Sequence, residues 1–264
     1  MILLFFCTLR TRPLCSELAE LPTEDELARA IARLKNNKAP DESDILPEMV
    51  RHGGPAFFAA LLALVHQVWH EGSVPQAWRD VELVPILKKG DLSSCDKWRG
   101  IVLLDVVGKV VGRLIQNRLQ HLAESELPDS QCGFRQGRSC TDQIFSVGQY
   151  IEKLNEHHET RFLVFIDLRK AYDSVSREAL WRGLEILGVP LSFIRLISSF
   201  HANMSVQVHI GESHTPRIAV NNSLRQGCSM APVLFNYNLF FALVLEKWRG
   251  EMGSVCPDHA VVPL

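Results

Sequence analysis

From Arg161 to Asp167 the chain reads Arg-Phe-Leu-Val-Phe-Ile-Asp, five consecutive apolar side chains between two charged ones. A run this short, rich in aromatic and β-branched residues, predicts a strand, and apolar residues on both of its faces predict a buried one. An aspartate at the end of such a strand is costly unless it is paired, hydrogen-bonded or bound to a metal ion. A carboxylate there can hold Mg²⁺ while the strand keeps it rigid, or it can cap the turn that follows. The residues alone leave both readings open.

The flanking sequence supplies helices and strands in mixed order. Thr23-Glu-Asp-Glu26 reads as a capping box, and Leu27, Ile31 and Leu34 give the helix one apolar face. Pro55 opens an apolar helix through Ala59, Leu62, Val65 and Trp69, and Gly72 closes it. Val81 to Leu87 reads as a strand. Val106 to Leu122 reads as a helix with Lys109, Arg113 and Arg118 on its polar side. After a Gly-rich loop from Gln131 to Ser139, Thr141 to Leu154 is helical again. Ser176 caps a helix ending near Gly188, and Pro190 to Phe200 is another. Met204–Ile210 and Thr215–Val220 read as a hairpin turning at Gly211-Glu-Ser, and Ala231 to Trp248 as a final helix. Residues 1–22 show no period, and the tail after Arg249 reads as unpatterned. The order lacks βαβ regularity, which predicts an α+β fold.

Composition narrows the classes. With 47% hydrophobic residues over 264, the chain can bury a sizeable core. A net charge of -2 gives no global signature of phosphate binding; a site that sets carboxylates beside local cations would cancel in that sum. The seven cysteines are scattered and form no Cys-x-x-Cys pair, which fits a reducing, intracellular compartment. The apolar start, Met1 to Cys7, is short and lacks the basic residues of a secretory leader; a ragged start left by truncation is the expectation. No apolar run approaches the ~18 residues of a membrane span.

Four ordered segments carry a resemblance. Phe165-Ile-Asp-Leu-Arg-Lys-Ala-Tyr-Asp-Ser-Val175 resembles motif A of the reverse transcriptases of non-LTR (LINE-type) retrotransposons. Leu224-Arg-Gln-Gly-Cys-Ser-Met-Ala-Pro-Val-Leu-Phe-Asn236 resembles motif B, with Ala231 where many relatives have serine. Val84 to Asp91 with Trp98-Arg-Gly-Ile-Val-Leu-Leu104 is similar to the fingers motif, and Gln131 to Ser139 to the loop joining fingers and palm. Lys38-Ala-Pro-Asp41 also resembles a family segment, with Asp41 in place of the usual glycine.

The resemblance implies a right-hand polymerase fold of fingers and partial palm. Residues 1–22 are unassigned, 23–75 a helical lead-in to the fingers, and 76–264 a fingers and palm domain incomplete at its C-terminus, the thumb being absent. It implies metal ligation at Asp167 and at Leu168, with Mg²⁺ or Mn²⁺ as cofactor. Tyr172 would lie under the nucleotide sugar, where an aromatic face leaves no room for a 2′-hydroxyl. Gln226, Gly227, Arg99 and Lys88 would contact the nucleotide, and Arg135, Arg138 and Lys170 template or nucleotide phosphate. Asp173 reads as a structural cap. RNA template, DNA primer and dNTP are the implied partners.

Nucleotidyl transfer uses two metal ions, and one aspartate does not place both. The family's motif C, an aromatic-Ala-Asp-Asp hairpin, has no counterpart, for no Asp-Asp pair occurs in the sequence. The nearest candidate is Asp258 in Cys256-Pro-Asp-His-Ala-Val-Val262, where Pro257 argues against a strand. The expectation is a truncated polymerase domain without activity of its own, whose Asp167 strand has an unpaired edge. The alternative is a non-enzymatic relic or nucleic-acid-binding fragment. A Cys or Ser hydrolase finds no support, because no histidine sits in a partnering motif near Ser139-Cys140 or Cys228-Ser229.

Overall fold

The computed structural model describes residues 12–37, 43–87, 93, 97–168, 171–211, 213–220, 223–225, 227–249 and 260–263; the side chains of residues 99, 243–249 and 260–263 are outside that description. Helix α1 (Glu24–Ala32) starts on the capping box read from the sequence: Glu26 N donates to Thr23 Oγ1 at 3.2 Å, and Thr23 N donates to Glu26 Oε2 at 3.0 Å. The same carboxylate accepts from Arg118 Nε and Nη2 at 3.0 and 2.9 Å. Arg118 was expected on a polar face of its helix; it instead pins α1 to α4 (Val106–Glu126) and caps carbonyls of Leu18 and Glu20 at 2.9 and 2.6 Å.

Two helices follow α1. The short α2 (Pro47–His52) was not read from the sequence. Helix α3 (Gly54–Glu71) ends at Gly72 with φ of 62°, a left-handed conformation that favours glycine. Its buried stripe is Leu61, Val65, Val68 and Trp69, rotated from the expected one, since Ala59 is exposed and Leu62 only half-buried.

A mixed sheet then carries β1 (Asp80–Leu87), β2 (Trp98–Leu103), β4 (Met204–Ile210), β5 (Ser213–His214) and β6 (Ile218–Val220). Its order is β2-β1-β4-β5, with β6 also on β4. Strand β1 is antiparallel to β2, with Val84 opposite Ile101, and parallel to β4, with Val81 opposite Val206. The β1–β4 ladder ends at Leu83, so Pro85 falls where one edge of β1 has no partner and its missing N–H interrupts no ladder there. Gly211, with φ of 63°, turns β4 into β5. Helices and a mixed sheet in irregular order make the fold α+β.

The core lies among α1, α3, α4, α6 (Arg177–Ile186), α7 (Leu191–Ser199) and α8 (Ala231–Arg249), while α5 (Cys140–Glu156) buries only Leu154. Leu114, Leu119, Leu180 and Leu184 are at most 1% exposed, and each such burial is worth about 1.5–3 kcal/mol. Tyr237 is fully buried and donates its hydroxyl to the carbonyl of Leu119 at 2.8 Å, joining α8 to α4. Residues 12–15, left unassigned by periodicity, are tied to the end of α6: Arg12 N donates to Ile186 O at 2.9 Å and Cys15 N to Gly188 O at 2.8 Å.

Two expectations are corrected. The strand before Asp167, β3 (Phe162–Phe165), is not buried: Phe162, Val164 and Phe165 are 70%, 53% and 58% exposed. It stands outside the main sheet, and only Leu163 on it is even half-buried. The tail read as unpatterned supplies a strand, β7 (Ala260–Pro263), which runs antiparallel to β3 with Phe165 opposite Ala260; among the described residues β3 keeps one unpaired edge in this two-stranded sheet.

Candidate active site

Asp167 lies two residues beyond the end of β3, exposed, between Ile166 and Leu168, which are 57% and 46% exposed. The apolar strand therefore presents its carboxylate outward rather than burying it. Asp173 is exposed too, and the helix it was expected to cap is capped by Ser176, whose Oγ accepts from Ala179 N at 3.4 Å.

Tyr172 is the point on which the ordered segments meet. Its ring stacks on Phe235 of α8 at 5.0 Å and meets Phe134 edge-on at 6.5 Å. Its carbonyl accepts from the backbone N–H of Leu224 at 3.0 Å. The segment after β3, the Gly-rich loop and the stretch leading into α8 are thus joined at one aromatic residue. Burial alone pushes the Tyr172 phenol up from its usual value, so its hydroxyl stays neutral through the physiological range. Phe134, left in the quoted loop without a role, is held at φ of 57° and is 57% exposed. A bulky residue in that region is uncommon and marks a constrained position.

Gly227 brings the fourth segment in. Its φ is 96°, and a Cβ built on it would stand 3.4 Å from the carbonyl of Val102 in β2. Two residues before Val102 in the same strand, Gly100 is packed so closely that a Cβ there would lie 2.7 Å from the Leu83 side chain. Arg99 lies in β2 opposite Ile86, and its side chain is outside the described residues. Lys88, Lys170, Gln226, Asp41 and Asp258 are likewise outside them.

The two loop arginines behave differently. Arg135 is 6% exposed; it is paired with Glu124 at 2.8 Å and donates to the carbonyls of Pro128 and Gln131 at 2.8 and 3.3 Å. Its guanidinium is consumed in holding the loop against α4, which leaves it no face toward a phosphate. Arg138 is exposed and paired only with the exposed carboxylate of Asp129.

Sequence reasoning missed Arg225. It is 3% exposed and donates to Trp78 O at 2.6 Å, Arg79 O at 3.1 Å, the carbonyl of Phe200, and Met204 Sδ at 3.0 Å. Burial brings its pKa down to about 10, so it remains a cation. Its fork fastens the residue before Gln226 to the start of β1 and the end of α7. Arg177 does a related job, donating to Ser223 O at 2.9 Å and His201 O at 2.8 Å. Nothing in an Arg-Gln-Gly string distinguishes a buried arginine from a surface one, because its partners are backbone carbonyls far away in sequence.

The family model described as Reverse transcriptase (RNA-dependent DNA polymerase) matches residues 86–257, more than half of the 264. The chain belongs to the reverse transcriptase family. It is 28% identical over 186 residues to the Retrovirus-related Pol polyprotein from the type-1 retrotransposable element R2 of Popillia japonica, covering 70% of this chain and 26% of that protein. It is 26% identical over 253 residues to the Transposon TX1 149 kDa protein of Xenopus laevis, covering 93% and 19%. It is 27% identical over 218 residues to the RNA-directed DNA polymerase from mobile element jockey of Drosophila melanogaster, covering 81% and 24%. These similarities make it a reverse transcriptase domain of the LINE-type kind, and the chain spans about a quarter or less of the length of these curated relatives.

Reverse transcriptases generally use divalent metal ions. Among the described residues no group of three or more His, Cys, Asp or Glu side chains is placed to hold one. Asp167 belongs to no such group among the described residues, and that donor set does not fit a two-metal site. No described helix is long and apolar enough to cross a membrane.

Proposed function

We propose that this chain is the fingers and partial palm of an RNA-directed DNA polymerase that acts inside the cell on an RNA template, a DNA primer and dNTPs, and that it does not polymerise by itself. In this reading residues 23–75 lead into the fingers and 76–264 contribute fingers and palm. The observation that carries it is the meeting of four separate segments at Tyr172 and Gly227. Tyr172 forms the floor for the nucleotide sugar and excludes a 2′-hydroxyl by its bulk. Gly227 lets the backbone come close to the nucleotide where a side chain would intrude. Arg99, Lys88 and Gln226 complete the nucleotide contacts, and Arg138 and Lys170 reach phosphate.

Asp167 and the neighbouring Leu168 backbone are proposed to hold one Mg²⁺ or Mn²⁺. The chain has no second motif to hold another, since the sequence contains no Asp-Asp pair. The lone carboxylate favours a second reading for the isolated chain: a fragment that binds nucleic acid without catalysis.

The test is RNA-templated extension of a DNA primer with Mg²⁺ or Mn²⁺. The unmodified chain should give no extension, and a chain with an Ala-Asp-Asp hairpin grafted after α8 should gain it. Extension by the unmodified chain at the level of the grafted one would refute the proposed incompleteness.

A further inference from the structure

A cleft of about 530 Å³ opens between α1 and α4, and Gln136 of the Gly-rich loop lines it as well. Its acids are already neutralised. Glu26 is taken by Arg118 at 2.9 Å and Glu124 by Arg135 at 2.8 Å. Arg29 and Arg33 also line it, one helical turn apart on α1 and both exposed. Neither has an ion-pair partner among the described residues, and Arg33 only donates to Asn117 Oδ1 at 3.5 Å. The cleft therefore carries an uncompensated double positive charge.

The wall on α4 adds Asn117, Gln120 and His121, amide and imidazole groups that donate to oxygen. One turn before Asn117 lies Arg113, which burial and then the charge of Arg33 hold below its usual pKa. Just before Arg113, Gly112 packs against Ser229 of the loop after Gly227, where a Cβ would stand 3.1 Å from Ser229 Oγ. At its other end the cleft touches Gln136, two residues from the Phe134 that meets Tyr172. The cleft thus borders both loops of the candidate active site, through Gln136 on one side and through the turn of α4 at Arg113 and Gly112 on the other.

We infer that the α1–α4 cleft is a second nucleic-acid site, which grips the sugar-phosphate backbone of a single strand and feeds it toward Tyr172. The inference rests on the polymerase reading given above. Single-strand sites commonly stack bases on aromatic side chains, and the cleft lining includes no Phe, Tyr or Trp. Contact is then to phosphate and sugar and is independent of sequence. A duplex, whose major groove alone is about 12 Å wide, does not enter a cleft of this volume.

The experiment measures fluorescence anisotropy of the full chain with a labelled single-stranded oligouridylate, an oligothymidylate of equal length and an RNA–DNA duplex, each over a KCl series. Arg29→Gln/Arg33→Gln is compared with wild type and with Arg182→Gln/Lys153→Gln, which removes two exposed charges elsewhere. Both cleft residues are exposed, and a thermal melt confirms folding. The cleft variant should weaken binding of both single strands on the order of tenfold at low salt and flatten the log–log salt slope by about 1.4. The control variant should match wild type. An unchanged slope in the cleft variant, an equal loss in the control, or a loss confined to the duplex overturns the cleft assignment while leaving the polymerase reading intact. Absence of salt-dependent binding by wild type to all three probes overturns both.

Discussion

The backbone N–H of Leu224 donates to the carbonyl of Tyr172 at 3.0 Å, across fifty-one intervening residues. That bond joins the segment holding Asp167 to the one holding Gly227. The ring of Tyr172 adds the stack on Phe235 at 5.0 Å. Replacing Tyr172 by Ala removes a half-buried aromatic with two ring partners and should cost about 2 kcal/mol. Tyr172→Phe keeps both ring contacts and should cost under about 0.5 kcal/mol. Urea denaturation of the two variants distinguishes them; equal losses would show that the hydroxyl, not the ring, holds the junction.

Arg225 supports that junction from beneath. Its removal strands the buried carbonyls of Trp78, Arg79 and Phe200. Arg225→Met should therefore destabilise the fold by about 3–5 kcal/mol. Arg225→Lys should recover less than half of that, since an ammonium point charge does not span carbonyls reached by a planar fork. A lysine variant as stable as wild type in guanidinium unfolding would contradict this role.

His201 sets a pH dependence. It is 1% exposed, donates Nδ1 to Ile197 O at 3.1 Å, and among the described residues has no partner for Nε2. Burial, then the charge of Arg225, brings its pKa down from 6.5 to about 3. The folded state keeps the ring neutral, while the unfolded chain takes up a proton near pH 6.5. Stability is thus complete above that pH and is lost as pH falls from 6.5 toward 3, by about 1.4 kcal/mol per unit. Glu26 and Glu124 also have lowered values, from 4.5, and their losses come only below pH 4.5. Urea midpoints between pH 6.5 and 4.5 should fall in wild type and stay nearly flat in His201→Gln.

Gly183 is where α6 meets α8. A Cβ there would stand 2.3 Å from the Phe241 ring, which is itself 4% exposed and packed against Tyr237 and Phe240. The ring has little room to yield, so Gly183→Ala should cost about 1–3 kcal/mol. Adding Phe241→Leu should relieve part of it. A double variant less stable than the sum of the two single losses would show that the clash is not the cause.

Much of this fold was legible. The Thr23–Glu26 box, the Gly72 stop, the Ser176 cap and the strand starting at Met204 follow from local chemistry, and the structure has each of them. The segments quoted as separate motifs around Tyr172 and Leu224 are joined by the Leu224 N–H bond to the Tyr172 carbonyl, a proximity that spacing along the chain does not give. The exposure of β3 was not legible: an apolar run shows that a strand wants cover, not whether any layer supplies it. Arg135 reads as a phosphate contact and Arg225 has no reading at all, because their acceptors are carbonyls and a carboxylate brought in by tertiary packing. The swap of Arg118 from a polar face to a clamp on Glu26 has the same origin.

Asp167 offers the most direct measurement: RNA-templated primer extension by the hairpin-grafted chain, with Asp167 intact and with Asp167→Asn. The intact graft should extend the primer, and Asp167→Asn should lower its rate by at least about 10³-fold, some 4 kcal/mol of barrier. Extension by the ungrafted chain that survives Asp167→Asn would contradict both the place given to Asp167 and the incompleteness of the site around it.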